Sequence, residues 1–463
     1  MSINSALLAG VSGLVANSSA LAAISDNISN VNTTAYKRSQ VDFSTLVTSQ
    51  AVKGEYSAGG VQGVTKSFIS QQGLIQSSSS ATSLAISGDG FFVVTQKGAG
   101  LTPADSRMFT RAGAFEPDAN GFLVNDAGFY LQGWPVQANG TFNINPSDLN
   151  SISPINVKNL GAAVQETTNV GVSANLDQTT PIPAASTYNA ATASMAAAAA
   201  GVAGGTPPDA PPIEFTVVDS MGGSHKLALA LCRTTTPNSW NAEIYAVPAT
   251  DVTAGPSGQI KAGLLNFNTD GSINLNTSTL FGPATAPPAA PSPATISLAA
   301  SGAAAPAWAA SLGIAASALT IDLNQLTQLA SASTVNSVTS NGASAGNIIG
   351  VQVSNDGVVS ALYDNSQVRK IAQVAIATFP NSNGLQPTSG NAYQSNLAAG
   401  QMTLKSPGAG GAGKIAASSL EASTVDLSSE FTGLITTQKA YSASSKIITT
   451  ADQMLDELIN IIR

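Results

Sequence analysis

Few side chains in this sequence could do chemistry, and their spacing argues against it. The chain holds a single histidine, His225, and a single cysteine, Cys232. A lone thiol forms no intrachain disulfide. One His and one Cys fall short of a zinc ligand set, and a Cys–His dyad would need help from elsewhere. Cys232 closes the apolar run Lys226–Cys232 (KLALALC), with His225 beside it. That pattern predicts a strand carrying a buried, inert thiol. Ser344 lies in Gly342–Gly346 (GASAG), a match to the Gly-x-Ser-x-Gly of a hydrolase nucleophile. Such an elbow needs a helix after the Ser and a His later in the chain. Here a strand-like run follows, and His225 comes first. Asn120-Gly121, Asn139-Gly140, Asp270-Gly271 and Asp356-Gly357 could pass for fragments of calcium loops. None reaches the spaced set of acidic ligands that calcium requires, so they read as hairpin turns. The expectation is no catalytic residue, no cofactor and no metal.

The elements around these residues explain more. The chain has 463 residues, enough for about three domains at ~150 residues each. Charged residues make up 10% of it, against ~25% in typical soluble domains. A polar but weakly charged surface tolerates stacking on copies of itself, because little charge must be desolvated. The net charge is −8 and no basic patch exists, which argues against nucleic-acid partners.

Both ends carry a seven-residue period. Leu7, Leu14, Leu21 and Ile28 form one ladder; Ser5, Ser12, Ser19 and Asp26 fall nearly opposite. Leu427, Leu434, Tyr441, Ile448, Leu455 and Ile462 form the second, opposite Thr432, Lys439, Lys446, Gln453 and Asn460. These predict two long amphipathic helices with coiled-coil spacing, over about Ile3–Val31 and Leu427–Ile462. The companion core positions of the second helix are read as Gln438, Ser445 and Asp452, between Phe431 and Ile459. Burying those polar groups would be costly, so assembly is expected to hold these ends in place. The first segment lacks the basic start of a secretory signal, and Asn4, Ser5, Ser12, Asn17, Ser18 and Ser19 interrupt every apolar stretch. The expectation is no membrane insertion, and exit from the cell, if any, without cleavage.

The middle has a β texture. Ile213–Asp219, His225–Arg233 and Trp240–Val247 read as strands, and Asn347–Ser354 with Val358–Tyr363 as a hairpin. Pro181–Pro212 and Gly282–Ala310 are rich in Ala and Pro and read as surface loops. The fold class is α+β and multidomain: long paired terminal helices, coiled-coil-like, enclosing nested and mainly-β domains. The divisions are 1–31 with 425–463 (helical), 32–70 (extended linker), 71–145 with 365–424 (inner β) and 146–364 (outer β).

Several motifs in order resemble the flagellar axial family of rod, hook and hook-associated proteins. Asp26–Ser39 (DNISNVNTTAYKRS) is similar to its N-terminal signature, with Asn27, Asn30, Asn32, Thr33, Thr34, Tyr36 and Lys37. The family usually carries Gly where this chain has Ala35; a family Gly often marks a backbone of positive φ, so the chain departs from the family pattern in this turn. Ile86–Val94 (ISGDGFFVV), with Gly88, Asp89, Gly90 and Phe91, and Phe109–Trp134 resemble its first β domain. Leu420–Leu427 (LEASTVDL) and Thr437–Asp456 resemble its C-terminal signature. Phe215–Leu227, Trp240 and Leu265–Ile273 resemble the outer domain of the hook branch.

The resemblance implies a subunit of a curved, flexible tube that works as a universal joint, passing motor torque from rod to filament. Its partners would be other copies of itself, the distal rod protein, the hook–filament junction protein, the hook cap and the flagellar type III export apparatus. It implies a place outside the cell, in the flagellar hook. The terminal ladders would form the polymerisation and inner packing surface.

Overall fold

The computed structural model describes residues 3–46, 59–103, 105–158, 160–280 and 294–462. The chain divides into two compact units. Met1–Asn159, Gly350–Leu362 and Val368–Arg463 form the first, and Leu160–Ile349 with Tyr363–Gln367 the second. The described α-helices are α1 (Ile3–Ser29), α2 (Met195–Ala199) and α3 (Leu427–Ile462). The terminal helices cluster with the inner β region because the chain crossings between them are tightly bonded, as set out below.

α1 is rich in Ala and Leu, good helix formers. The hydroxyls of Ser12, Ser19 and Ser29 turn back onto carbonyls of the preceding turn. The helix stops two residues before Val31, where Asn30 folds its amide onto the Asp26 carbonyl at 2.9 Å. α3 has the expected ends. The Asp426 carboxylate accepts from Ser429 N at 3.1 Å and caps the first turn, and Glu430 suits the positive end of the helix dipole.

The helices pack antiparallel. Gly10 of α1 lies against Ile447 and Ile448 of α3, Gly13 against Ser444, Ile24 against Gly433, and Asn27 against Glu430. A Cβ added at Gly10 would sit 3.2 Å from Ile448 Cγ1, so the glycine sets how closely the axes approach. Residues 32–70, read as a linker, hold an antiparallel hairpin of Ser39–Thr45 and Val61–Ser67. It packs Val41 onto a stripe of small residues on α1, Ala20 and Ala23, with Ala16 also buried. Gly63 permits this: a Cβ there would lie 2.9 Å from Val41 and 3.4 Å from Ala16. Ser12, on the face opposite the Leu ladder, accepts a hydrogen bond from Val61 N at 3.1 Å and so faces the hairpin.

Among the described residues, the main sheet of the first unit has 13 strands. Its central path includes Val368–Val374, Tyr130–Pro135, Phe91–Thr95, Met108–Thr110 and Ala392–Gln394. Phe91, Val93, Phe109, Trp134, Tyr393 and Leu404 fill its core. Every residue of Phe91–Thr95 is buried, which is why the sequence there is continuously apolar instead of alternating. Ser153–Pro154, placed with the outer region in the sequence reading, pairs with Gly133 and Gln132 of this sheet. Isoleucines 152 and 155 flank that short strand and are buried, giving residues 146–158 an anchor the composition did not reveal.

The second unit is a sandwich. One sheet runs in the order Ile213–Val218, Ser224–Arg233, Ser239–Val247, Gln259–Phe267, Ile273–Asn274, all antiparallel. The other runs Ala294–Leu298, Ser317–Leu329, Asn169–Asp177, Thr334–Ser340, with its two middle strands parallel. Val172, Leu176, Phe215, Leu229, Trp240, Ile244, Ile321 and Leu323 share the core between them. The strands expected from residues 213 to 247 are all present.

The Ala/Pro-rich stretches are not simply loops. Within Pro181–Pro212, α2 buries Met195 and Ala196 against Ala228, Ala230, Cys232 and Tyr245. The buried Glu243 carboxylate accepts from Met195 N at 2.7 Å and Ala196 N at 3.1 Å, satisfying the helix start. In Gly282–Ala310, residues 281–293 lie outside the described residues, but Ala294–Leu298 is a strand with Ile296 and Leu298 buried. Alanine-rich composition suits loops and tight helix packing equally, so it could not tell them apart.

Candidate functional site

The signature residues converge on one place in the first unit, where α1 ends, the β body begins and α3 starts. Asn27, fully buried, is the hub. Its Nδ2 donates to Ser39 O at 2.7 Å and Glu430 Oε2 at 3.2 Å. Its Oδ1 accepts from Ser39 N at 3.0 Å and from the Tyr36 hydroxyl at 3.3 Å. One amide thus ties the last turn of α1 to the hairpin and to the first turn of α3. Arg38 pairs with the other Glu430 oxygen through Nε.

A second cluster lies beside it. Lys37 and Arg111, both buried, share the Glu421 carboxylate. Glu421 Oε1 also accepts from Gly73 N at 2.7 Å, and Lys37 donates to Gln71 O as well. Burial pushes the Lys37 ammonium down to about 8; Glu421 pulls the other way, while Arg111 adds to the depression. Arg111 donates to the carbonyls of Gly90 at 3.0 Å and Gly88 at 2.7 Å and lies over the Phe91 ring at 5.3 Å. Gly88 and Gly90 have φ of 111° and 126°, a region that favours glycine, so the turn ISGDG presents both carbonyls to one guanidinium. The Asp89 carbonyl accepts from Gly413 N at 2.7 Å.

The turn between these clusters has φ of 58° at Ala35, the left-handed backbone that glycine favours. Ala35 N donates to Glu421 O at 2.8 Å, Thr33 Oγ1 to Asn30 Oδ1 at 3.1 Å, and Asn391 Nδ2 to Thr34 O at 3.0 Å. Asn32 is exposed. The strand Ser419–Glu421 pairs with Ile75–Ser77. This joint can do no evident bond-making chemistry. It fixes how two chain crossings, nearly the whole sequence apart, enter and leave the β body.

The ladders sit differently from their reading. Leu7, Leu14, Leu21 and Ile28 are half-buried, as are Leu434, Tyr441, Ile448 and Leu455; Leu427 is exposed, and the Ile462 side chain is outside the described residues. Of the companion positions on α3, Gln438 and Asp452 are exposed and Ser445 is half-buried; the other less accessible positions are Glu430, Thr437, Ser444 and Ala451. Small residues there suit the close approach of Gly10 and Gly13, and small polar residues send no apolar signal. Large apolar side chains remain open on three elements: Leu8, Val11 and Val15 of α1; Phe431, Ile435, Ile447, Met454 and Ile459 of α3; Phe43, Leu46 and Val64 of the hairpin. Leu8 is 69% exposed and Ile459 63%. Despite its Ser and Asn residues, Ser5–Ser29 is long and apolar enough to cross a membrane by length and composition, at a mean hydropathy of 1.7.

Arg111 and Glu421 lie inside the sequence motifs without standing out there, and Glu430 falls between two of them. A lone charge in a strand or helix reads as solvated, and Lys37 finds Glu421 only across 384 positions. The available signal was scarcity: in a chain this poor in charge, each one near a motif is worth asking about.

Comparison with known proteins matches four stretches of the chain. Residues 7–37 match the family of flagella basal body rod proteins, 85–175 the flagellar hook protein FlgE/F/G D1 domain, 211–343 the flagellar basal body protein FlaE D2 domain, and 416–461 the flagellar basal body rod FlgEFG protein C-terminal region. The flagellar hook protein FlgE of Caulobacter vibrioides is 41% identical, with 100% of both chains covered. That of Rhizobium meliloti is 30% identical, again over 100% of both. Among solved structures, the Helicobacter pylori flagellar hook protein FlgE2 aligns at 15% identity and a TM-score of 0.40, covering 73% of this chain and 98% of that one. The full-length identities decide the matter: the chain belongs to the flagellar hook protein family, a structural family and not one of enzymes, and it is a subunit of the hook.

Proposed function

We propose that the chain polymerises through its terminal helices into a curved, flexible tube that serves as a universal joint between rod and filament. The observation that carries this is the open apolar surface of α1, α3 and the hairpin, flanking a helix pair already closed at its glycine seam. Such a surface is costly in water and is stabilised by contact with neighbouring copies. A different patch on each neighbour would make the contacts heterologous, so they propagate instead of closing. Coiled-coil packing, in this reading, is completed between subunits, with the Leu7–Ile28 and Leu427–Ile462 ladders at its margins. The sparse charge of the chain, 10%, leaves few ion pairs to break when outer surfaces slide during bending.

The remaining partners follow from that role: the distal rod protein below, the hook–filament junction protein above, the cap during growth, and the type III apparatus for export without cleavage to the outside of the cell. The joint of Asn27, Lys37, Arg111, Glu421 and Glu430 holds the helix pair on the β body, so that torque applied to one is passed to the other. Leu8→Asp and Ile459→Asp test the reading. Both sites are exposed in the free subunit, so each change costs it under about 0.5 kcal/mol. Neither variant forms tubes under the electron microscope, and both melt like the parent. Tubes of normal abundance from both would refute it.

A further inference from the structure

His225, the only histidine of the chain, is held in a way its neighbours make unusual. It opens the strand Ser224–Arg233 in the second unit and is 8% exposed. Its Nε2 lies 3.0 Å from Asp219 Oδ2, and its Nδ1 lies 2.8 Å from Asp251 Oδ2. Its ring rests on that of Trp308, centroids 4.8 Å apart. A neutral imidazole has one N–H and one lone pair, so one of these two contacts would set a lone pair against a carboxylate oxygen. Only the imidazolium donates to both. The carboxylates sit at opposite ring nitrogens, so no single ion could be held by all three groups. Among the described residues no cluster of His, Cys, Asp and Glu is placed to hold a metal.

The clamp joins three segments that are separate in sequence. Asp219 anchors the hairpin turn, its Oδ1 accepting from Met221 N at 2.7 Å and Gly223 N at 2.9 Å. Asp251 ends the short 3-10 helix Ala249–Asp251, and its carbonyl accepts from Ala309 N at 2.9 Å. Trp308 pairs with Val252 in a two-stranded ladder. The charged groups facing the ring are Asp219 from the turn and Asp251 from the 3-10 helix, and the third element brings the indole. Lys226, the next residue, is engaged instead with Glu214 at 3.8 Å.

We infer that His225 is a proton-dependent latch: as the imidazolium it ties the turn 219–223 to the segments 249–251 and 307–308, and on losing its proton it releases them. Burial opposes the charge, but hydrogen bonds to Asp251 and then Asp219 outweigh it and raise the ring above its usual range. The folded state therefore keeps a proton that the unfolded state gives up near 6.5. The latch contributes fully below that pH and is lost as pH rises through the raised value. The second unit is thus tightest below about pH 6.5 and loosens as pH rises through the raised value.

The full-length monomer tests this without assignment work, since it has one imidazole. Nitrogen NMR below pH 6.5 should show both ring nitrogens protonated, and the ring should titrate above 6.5. Amide protection in Ser224–Arg233, corrected for intrinsic exchange, should fall by up to about tenfold per pH unit across the window. Asp251→Asn should bring the titration down while the unit stays folded, and His225→Gln should flatten the pH dependence. A ring titrating at or below 6.5, or the same pH dependence in parent and His225→Gln, would overturn the latch, whatever becomes of tube formation.

Discussion

The joint of the first unit and the sandwich of the second solve opposite problems with opposite materials. At the joint, Lys37, Arg111, Glu421, Asn27 and Glu430 are buried polar or charged groups, and their ion pairs and the Asn27–Glu430 bond join segments hundreds of residues apart. In the sandwich, Phe215, Leu229, Trp240, Ile244 and Ile321 meet across two sheets built largely from neighbouring strands. Broad sheet faces offer enough apolar area to hold themselves together. Two single crossings of the chain do not, and a few directional bonds define their geometry better than contact area could. A buried ion network is weak evidence for stability, because its desolvation is so costly, yet it penalises every wrong arrangement.

The largest break in this contrast comes from removing one charge. Glu421→Gln leaves Lys37 and Arg111 buried without their counter-charge, at a cost of about 3–5 kcal/mol. Amide exchange should speed up around Ser419–Glu421, Ile75–Ser77 and the start of α3, with the sandwich unchanged. Leu229→Ala should cost about 2–5 kcal/mol in the sandwich and leave the joint alone. A joint indifferent to Glu421→Gln would mean that the ion network is decoration.

The pH response sharpens the comparison, because the two regions should move in opposite directions. Lys37 sits at about 8 when folded against 10.5 when free. Between those values the unfolded chain holds a proton that the folded joint has shed, so the first unit gains stability as pH climbs from 8 toward 10.5. The second unit loses stability above about 6.5, as the His225 clamp lets go. Exchange followed region by region from pH 6 to 10 checks both signs at once. Parallel changes in the two units would remove the distinction.

How much of this was legible in the sequence depended on whether a feature repeats. The ends of α3 and the strands from residue 213 to 247 were readable, because period and alternation sum over many residues. The seam of the helix pair was only partly read, because Thr437, Ser444 and Ala451 are small and carry no hydrophobic mark. α2 hid in an alanine run whose partner, Glu243, lies 47 residues from Ala196. The joint was visible only as motifs: their positions could be quoted, but which charge met which could not. Ala35 showed only that the turn departs from the family's glycine, and one position carries no period from which to read a backbone.

That residue gives the smallest effect. Ala35→Gly removes a left-handed alanine, with φ of 58°, at the price of a buried methyl group and a floppier unfolded chain. The net gain should be at most about 1 kcal/mol. A loss above that size would place the methyl contact ahead of the backbone strain.

The central claim is that the open faces of α1, α3 and the hairpin are where subunits meet. Side-chain footprinting of free subunit and assembled tubes tests it most directly. The account predicts strong labelling of Leu8, Val11, Phe43, Phe431 and Ile459 in the free subunit and protection of these residues in tubes, while exposed Met221 of the outer unit changes little. Equal labelling of the helix residues in both states would contradict it.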